Sequence, residues 1–91
     1  MNRDSVFVIF DIETDGLLEE VTKIHCLSYQ KYCRGEIILK GSITDYNEII
    51  DFFNENIVLV GHNIIRYDIP VINKILGIEI YNEVVDTLGV S

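Results

Sequence analysis

Asp11 and Glu13 stand two residues apart in Phe10-Asp11-Ile12-Glu13-Thr14-Asp15-Gly16, directly after the apolar run Val6-Phe7-Val8-Ile9-Phe10. In a β-strand, side chains at i and i+2 point to the same face, so both acids can reach one point in space. Two anions held that close repel unless a positive charge lies between them. A hard divalent cation such as Mg²⁺, which takes oxygen ligands and keeps some water, suits that place. An isolated D-x-E also suits the start of a solvated loop. The rest of the chain decides between the two.

A second group of polar residues follows a second apolar run. Gly61-His62-Asn63-Ile64-Ile65-Arg66-Tyr67-Asp68 comes directly after Ile57 to Val60. Taken alone, Asp68 suits a helix N-cap, where Asp is favoured, and Asn63 suits a turn. Taken together with the first pair, they gain weight if the two runs are neighbouring parallel strands. Ligand sites in open α/β sheets gather at the carboxyl ends of such strands. Asp68 can then approach the same cation as Asp11 and Glu13.

The elements that must position these residues are legible from periodicity. The continuous β-branched run over residues 5–11 reads as a central strand buried on both faces. Residues 23–32 and 36–43 read as two further strands joined through Arg34-Gly35 as a hairpin. From 45 to 54 the period changes: Tyr46, Ile49, Ile50 and Phe53 share one helical face. Thr44 or Asp45 can cap this helix, and Asp45 with Glu48 three residues on resembles a capping box. Residues 57–60 form a short apolar strand. Over 68–76, Ile69, Ile72, Ile75 and Leu76 share a helical face, with Pro70 in the first turn and Gly77 as the stop. Residues 83–86 make a last strand. The order is β-β-β-α-β-α-β. Tight turns make the leading strands antiparallel, and crossovers through helices make the later ones parallel. The result is an α/β chain with one mixed sheet, the opening pattern of a ribonuclease H-like fold.

Size and charge narrow the functions. Ninety-one residues with 48% hydrophobic content make one small globular unit at most. No apolar run is long enough to span a bilayer, and no signal sequence opens the chain, so the expectation is a cytoplasmic protein with no membrane partner. For a viral protein that means the host cytoplasm. Cys26 and Cys33 are too few for a disulfide framework and lack zinc-like spacing, which leaves reduced thiols. The net charge of −8, with seven scattered Lys and Arg, is wrong for simple phosphate-backbone binding. A chain of this charge handles nucleic acid only with bound metal, or with positive charge from another segment or subunit.

Asp11-x-Glu13 followed by Gly61-His62-Asn63-x-x-x-Tyr67-Asp68 resembles the first two motifs of the DnaQ-like, or DEDD, 3′–5′ exonucleases. Val21-Thr22-Lys23-Ile24-His25-Cys26 and Val85-Asp86-Thr87-Leu88 are similar to the N-terminal proofreading domain of phage-type family A DNA polymerases. The resemblance runs from about Phe7 to Leu88. It implies two-metal hydrolysis of a terminal phosphodiester, with Mg²⁺ or Mn²⁺ ions about 3.5–4 Å apart. By the family pattern Asp11 bridges both ions, Glu13 binds the ion on the nucleophile side, and Asp68 holds the other through water. Asn63 helps to position the terminal nucleotide, and Leu17 packs on its base or sugar, although core packing suits Leu17 as well. The implied substrate is a single-stranded DNA 3′ end, with RNA left open. Weaker candidates have plainer readings. His25 and His62 suit structural roles, as does Asp86 at its strand end. Tyr67 suits packing and Arg66 solvation.

The family's third motif, Tyr-x-x-x-Asp or His-x-x-x-Asp, has no match here. Tyr81 and Asp86 are five apart, and His62 is followed four residues later by Arg66. The expectation is that residues 1–91 are the N-terminal part of an exonuclease domain, a fold incomplete at its C-terminus. The remainder of a polymerase or exonuclease, or another subunit, then supplies the missing carboxylate. The alternative is a catalytically inactive, nuclease-like module that docks on a polymerase or another chain through an uncovered sheet face.

Overall fold

The computed structural model describes residues 6–88. Ser5, placed in the first strand on sequence grounds, lies outside them. The first strand, β1 (Val6–Thr14), buries Val8, Phe10 and Ile12 and exposes Ile9, Asp11 and Glu13. This corrects two expectations. The strand does not stop at Asp11 but carries both acids within it. It is also covered on one face only, since Ile9 is 40% exposed.

Strand β2 (Ile24–Cys33) runs antiparallel to β1, and β3 (Glu36–Ile43) runs antiparallel to β2. Arg34 and Gly35 both take positive φ, 56° and 80°. Two successive left-handed residues make the tight turn whose twist matches a right-handed strand pair. Helix α1 (Tyr46–Asn54) follows, its first turn capped by Asp45, whose carboxylate accepts from the N–H groups of Asn47 at 2.8 Å and Glu48 at 3.1 Å. Such a cap is worth about 1 kcal/mol. Ile49, Phe52 and Phe53 are the residues α1 buries. Phe52, absent from the sequence pattern, replaces Tyr46, which instead lends its hydroxyl to the Ile24 N–H at 2.9 Å.

Strand β4 (Val58–Gly61) pairs parallel to β1, and β5 (Val84–Asp86) pairs parallel to β4, giving the order β3-β2-β1-β4-β5. Between them lie a π-helical turn, Ile64–Asp68, and helix α2 (Ile69–Leu76), which Gly77 ends. The sequence pattern began this helix at Asp68 and missed the π turn. The core fills the helix-covered face. Val8, Leu27, Ile49, Leu59, Val71 and Ile72 are wholly buried. Phe53 packs edge-on against both Phe10 and Phe52. Edge-to-face pairs of this kind add about 0.5–1.5 kcal/mol each to the area they bury.

Gly61 ends β4 where space is shortest. A Cβ there would lie 2.4 Å from Ile64 Cγ2 and 3.0 Å from the Phe10 carbonyl oxygen. The close approach lets the chain leave β4 and turn at once beside β1. Gly61→Ala is therefore expected to destabilise the chain by about 1–3 kcal/mol through overpacking. Thermal unfolding should show a midpoint lower by at least about 5 °C. An unchanged midpoint would contradict the tight packing at this strand end.

Candidate active site

Asp11 and Glu13 project from the uncovered face of β1, opposite Ser28 and Cys26 of β2. The register confirms that they share a face, because Phe10 and Ile12 between and before them are buried on the other. β4 pairs with β1 only as far as Ile9, so beyond that residue the β4 side of β1 is open to another partner.

That partner is Asp68. Its Oδ2 accepts from the Ile12 N–H at 3.2 Å, and Ile12 lies between the two acids. The π turn delivers it. Asn63 enters the turn in the left-handed conformation, φ 60° and ψ 29°, and the wider winding sets Asp68 inward, 4% exposed. Single π turns of this kind recur at functional sites because they re-aim side chains. Asp68 is therefore no N-cap: its backbone is helical, and its side chain makes no capping bond to α2.

The turn is held by Asp86 at the end of β5. Its carboxylate accepts from Ile65 N–H at 3.0 Å, and from Leu88 N–H and Asn63 N–H at 2.9 Å each. These N–H groups, Ile65 first, hold its carboxyl below the usual range. The structural role expected for Asp86 is thus the one observed.

The carboxyl of Asp68 behaves in the opposite way. Burial pushes its pKa up to about 7, the Ile12 N–H opposes that, and the negative charge of Asp11 adds to it. A buried acid next to a second acid is a poor place for two negative charges and a favourable place for a cation. The three side chains offer only carboxylate oxygens, the hard donors that divalent cations take. Among the described residues, no three His, Cys, Asp or Glu side chains are drawn together into a metal-holding cluster. Asp68 is engaged with the β1 backbone, and Asp11 and Glu13 face outward.

The loop after β1 is tied down from two sides, which the sequence did not signal. The Tyr67 hydroxyl donates to the Gly16 carbonyl at 2.6 Å and shares a hydrogen bond with the Thr14 hydroxyl. Lys74 of α2 donates to the carbonyls of Leu18 at 2.9 Å and Glu19 at 3.3 Å. Within the loop, Asp15 accepts from the Thr22 hydroxyl and from the N–H groups of Thr22 and Lys23, which holds its carboxyl well below the usual range. Leu17 stands at the tip, 68% exposed, so core packing is not its role. Asn63 is half-buried beside the π turn. His25 is exposed at the β1–β2 bulge, and His62 and Arg66 are exposed. Cys26 and Cys33, both half-buried, form no disulfide with each other.

No family model matches the chain. Over 80 residues, 84% of its length, it is 29% identical to the DNA-directed DNA polymerase of Escherichia phage T7 and 30% identical to that of Enterobacteria phage T3. It spans only 11% of the length of either polymerase. Among solved structures it matches Escherichia coli exonuclease I. In the complex with SSB-Ct the TM-score is 0.77 at 14% identity, covering 93% of this chain and 29% of that one. In the complex with a dA16 oligonucleotide the TM-score is 0.76 at 14% identity, covering 92% and 28%. A zinc-bound form with single-stranded DNA gives a TM-score of 0.77. The chain thus has the ribonuclease H-like fold of exonuclease I and is related to the phage T7 and T3 DNA polymerases, as its resemblance to the DnaQ-like exonucleases implied.

Proposed function

We propose that the chain is the N-terminal part of a 3′–5′ exonuclease domain that proofreads DNA. The observation that carries this reading is the Asp68 carboxylate on the Ile12 N–H, between Asp11 and Glu13. It joins Ile12 and Asp68, 56 residues apart in sequence, at the end of β1 that carries both acids. Asp11, Glu13 and Asp68 would hold Mg²⁺ or Mn²⁺, and the bound ions would supply water activation and charge stabilisation for hydrolysis of a terminal phosphodiester. Asp68 must first shed its proton, which the adjacent charge of Asp11 opposes. Leu17, exposed at the tip of a fastened loop, is placed to touch the terminal base or sugar of a single-stranded DNA 3′ end. Asn63 is the candidate for positioning that nucleotide. A further segment or subunit carrying Tyr-x-x-x-Asp or His-x-x-x-Asp would add the fourth acid. It would also add positive charge, which a chain of net charge −8 needs near phosphate.

A second reading, an inactive module that docks on a polymerase or another chain, is favoured by one observation. The three acids are not gathered into a metal-holding cluster. Under that reading Asp11→Ala with Glu13→Ala leaves the biological effect intact.

Two outcomes are expected. Supplying a segment that carries Tyr-x-x-x-Asp or His-x-x-x-Asp should restore Mg²⁺- or Mn²⁺-dependent shortening of labelled single-stranded DNA from its 3′ end. Asp11→Ala should lower that rate by about 10²-fold or more. Full activity in the Asp11→Ala protein would refute the assignment.

The second outcome concerns pH. The folded chain keeps the Asp68 proton up to about pH 7, whereas the unfolded chain releases it near the ordinary value of 3.8. The native state therefore binds more protons between those limits, and stability falls as pH rises from about 4 to about 7. Without divalent ions, denaturant unfolding should show this decline, and Asp68→Asn should flatten it. A slope unchanged by Asp68→Asn would contradict the raised pKa.

A further inference from the structure

The helix-covered face of the sheet is not covered to its edge. α1 stops short of β3, and between them runs a cleft of about 420 Å³. Its floor is apolar: Tyr29 and Phe52, whose rings meet at 5.2 Å, with Leu39 and Ile43 of β3. Leu39 is 51% exposed although it faces the covered side, opposite Lys31. Its wall is acidic. Glu48 and Asp51 of α1 line it, and the ion pair of Lys31 with Glu55, at 3.0 Å, closes one end. Its outer rim is a strand edge with no neighbouring strand among the described residues, because β3 is the first strand in the sheet order. A bulge interrupts the edge near Ile38, but the register of residues 39–43 on β2 is regular. Gly41 leaves a gap in the row of β3 side chains, with the Tyr29 ring directly beneath it.

We infer that this cleft is a docking site for an extended, cationic segment of a partner protein, which adds a sixth strand beside residues 39–43. Open edges bind extended peptides through main-chain hydrogen bonds, while alternate side chains set the specificity. Every second side chain of the added strand faces the cleft. Lys or Arg fits those positions best. Their aliphatic stems cover Leu39 and Ile43 and their charged ends reach Glu48 and Asp51. The side chains between them face Lys40 and Ser42 on the other side and are neutral. Nucleic acid is excluded as the occupant by the acidic wall. None of the cleft residues belongs to the candidate active site, so this surface stands or falls separately from the proposed nuclease function.

The probe is a short synthetic peptide of alternating Lys and Thr, titrated into the chain and followed by two-dimensional amide NMR. The amides of residues 39–43 and of α1 are expected to shift, and β3 amides to gain protection from exchange. Glu48→Gln with Asp51→Asn, which keeps the Asp45 cap, should weaken binding by about tenfold. Glu19→Gln with Glu20→Gln should change it less than twofold. A peptide of the same composition with its Lys residues in one block should bind more weakly without protecting β3. Equal losses in the two variants, shifts spread over all acidic surfaces, or no binding would each overturn the site.

Discussion

The hydrogen bond from the Ile12 N–H to the Asp68 carboxylate joins the two halves of the candidate site. It uses a main-chain donor that β4 leaves free, since β4 and β1 part company after Ile9. An unpaired N–H in so buried a place would cost about 1–3 kcal/mol. Asp68 removes that cost but brings its own, because a carboxyl this buried resists ionisation. The structure settles the conflict by raising the pKa of Asp68 to about 7. The neutral carboxyl is thereby the form that the fold favours up to about pH 7.

Much of the surrounding structure serves that one placement. Gly61 permits the tight exit from β4, Asn63 reverses the chain with positive φ, and Asp86 holds the turn by accepting from the N–H groups of Asn63 and Ile65. Tyr67, next to Asp68, reaches the loop that follows Glu13 and fastens it. Adjacent residues of one π turn thus reach both the β1 backbone between the acids and the loop that carries Leu17. Such coupling gives the loop a defined position relative to the acids, which a site that aligns a nucleotide end requires.

The element order and strand directions were legible from hydrophobic period and turn residues, because each local preference agrees with the fold. The pairing of Asp11 with Glu13 followed from the two-residue repeat of a strand. The π turn was not legible, since its sequence, Ile64-Ile65-Arg66-Tyr67-Asp68, carries the same pattern as the first turn of an α-helix. For that reason Asp68, taken alone, suited an N-cap, and only its joint pattern with Asp11 and Glu13 pointed to the acid pair. The contacts of Tyr67 and Lys74 also escaped notice: both are long-range bonds to loop carbonyls or hydroxyls, and no spacing rule reports them. The strand over Ile9 read as doubly buried because a continuous apolar run looks the same whether one face or both are covered. Its uncovered row, Ile9 beside Val60 and Val85 in register, leaves a face for further structure to pack on.

The central claim is that Asp11, Glu13 and Asp68 act as one cation-binding group. Paramagnetic broadening by Mn²⁺, read residue by residue in an amide NMR spectrum of the chain, tests it most directly. The account predicts that broadening begins at residues 11–13 and 68, and that Asp68→Asn weakens it there. Broadening that begins at other acidic positions, with residues 11–13 and 68 unaffected, would contradict it.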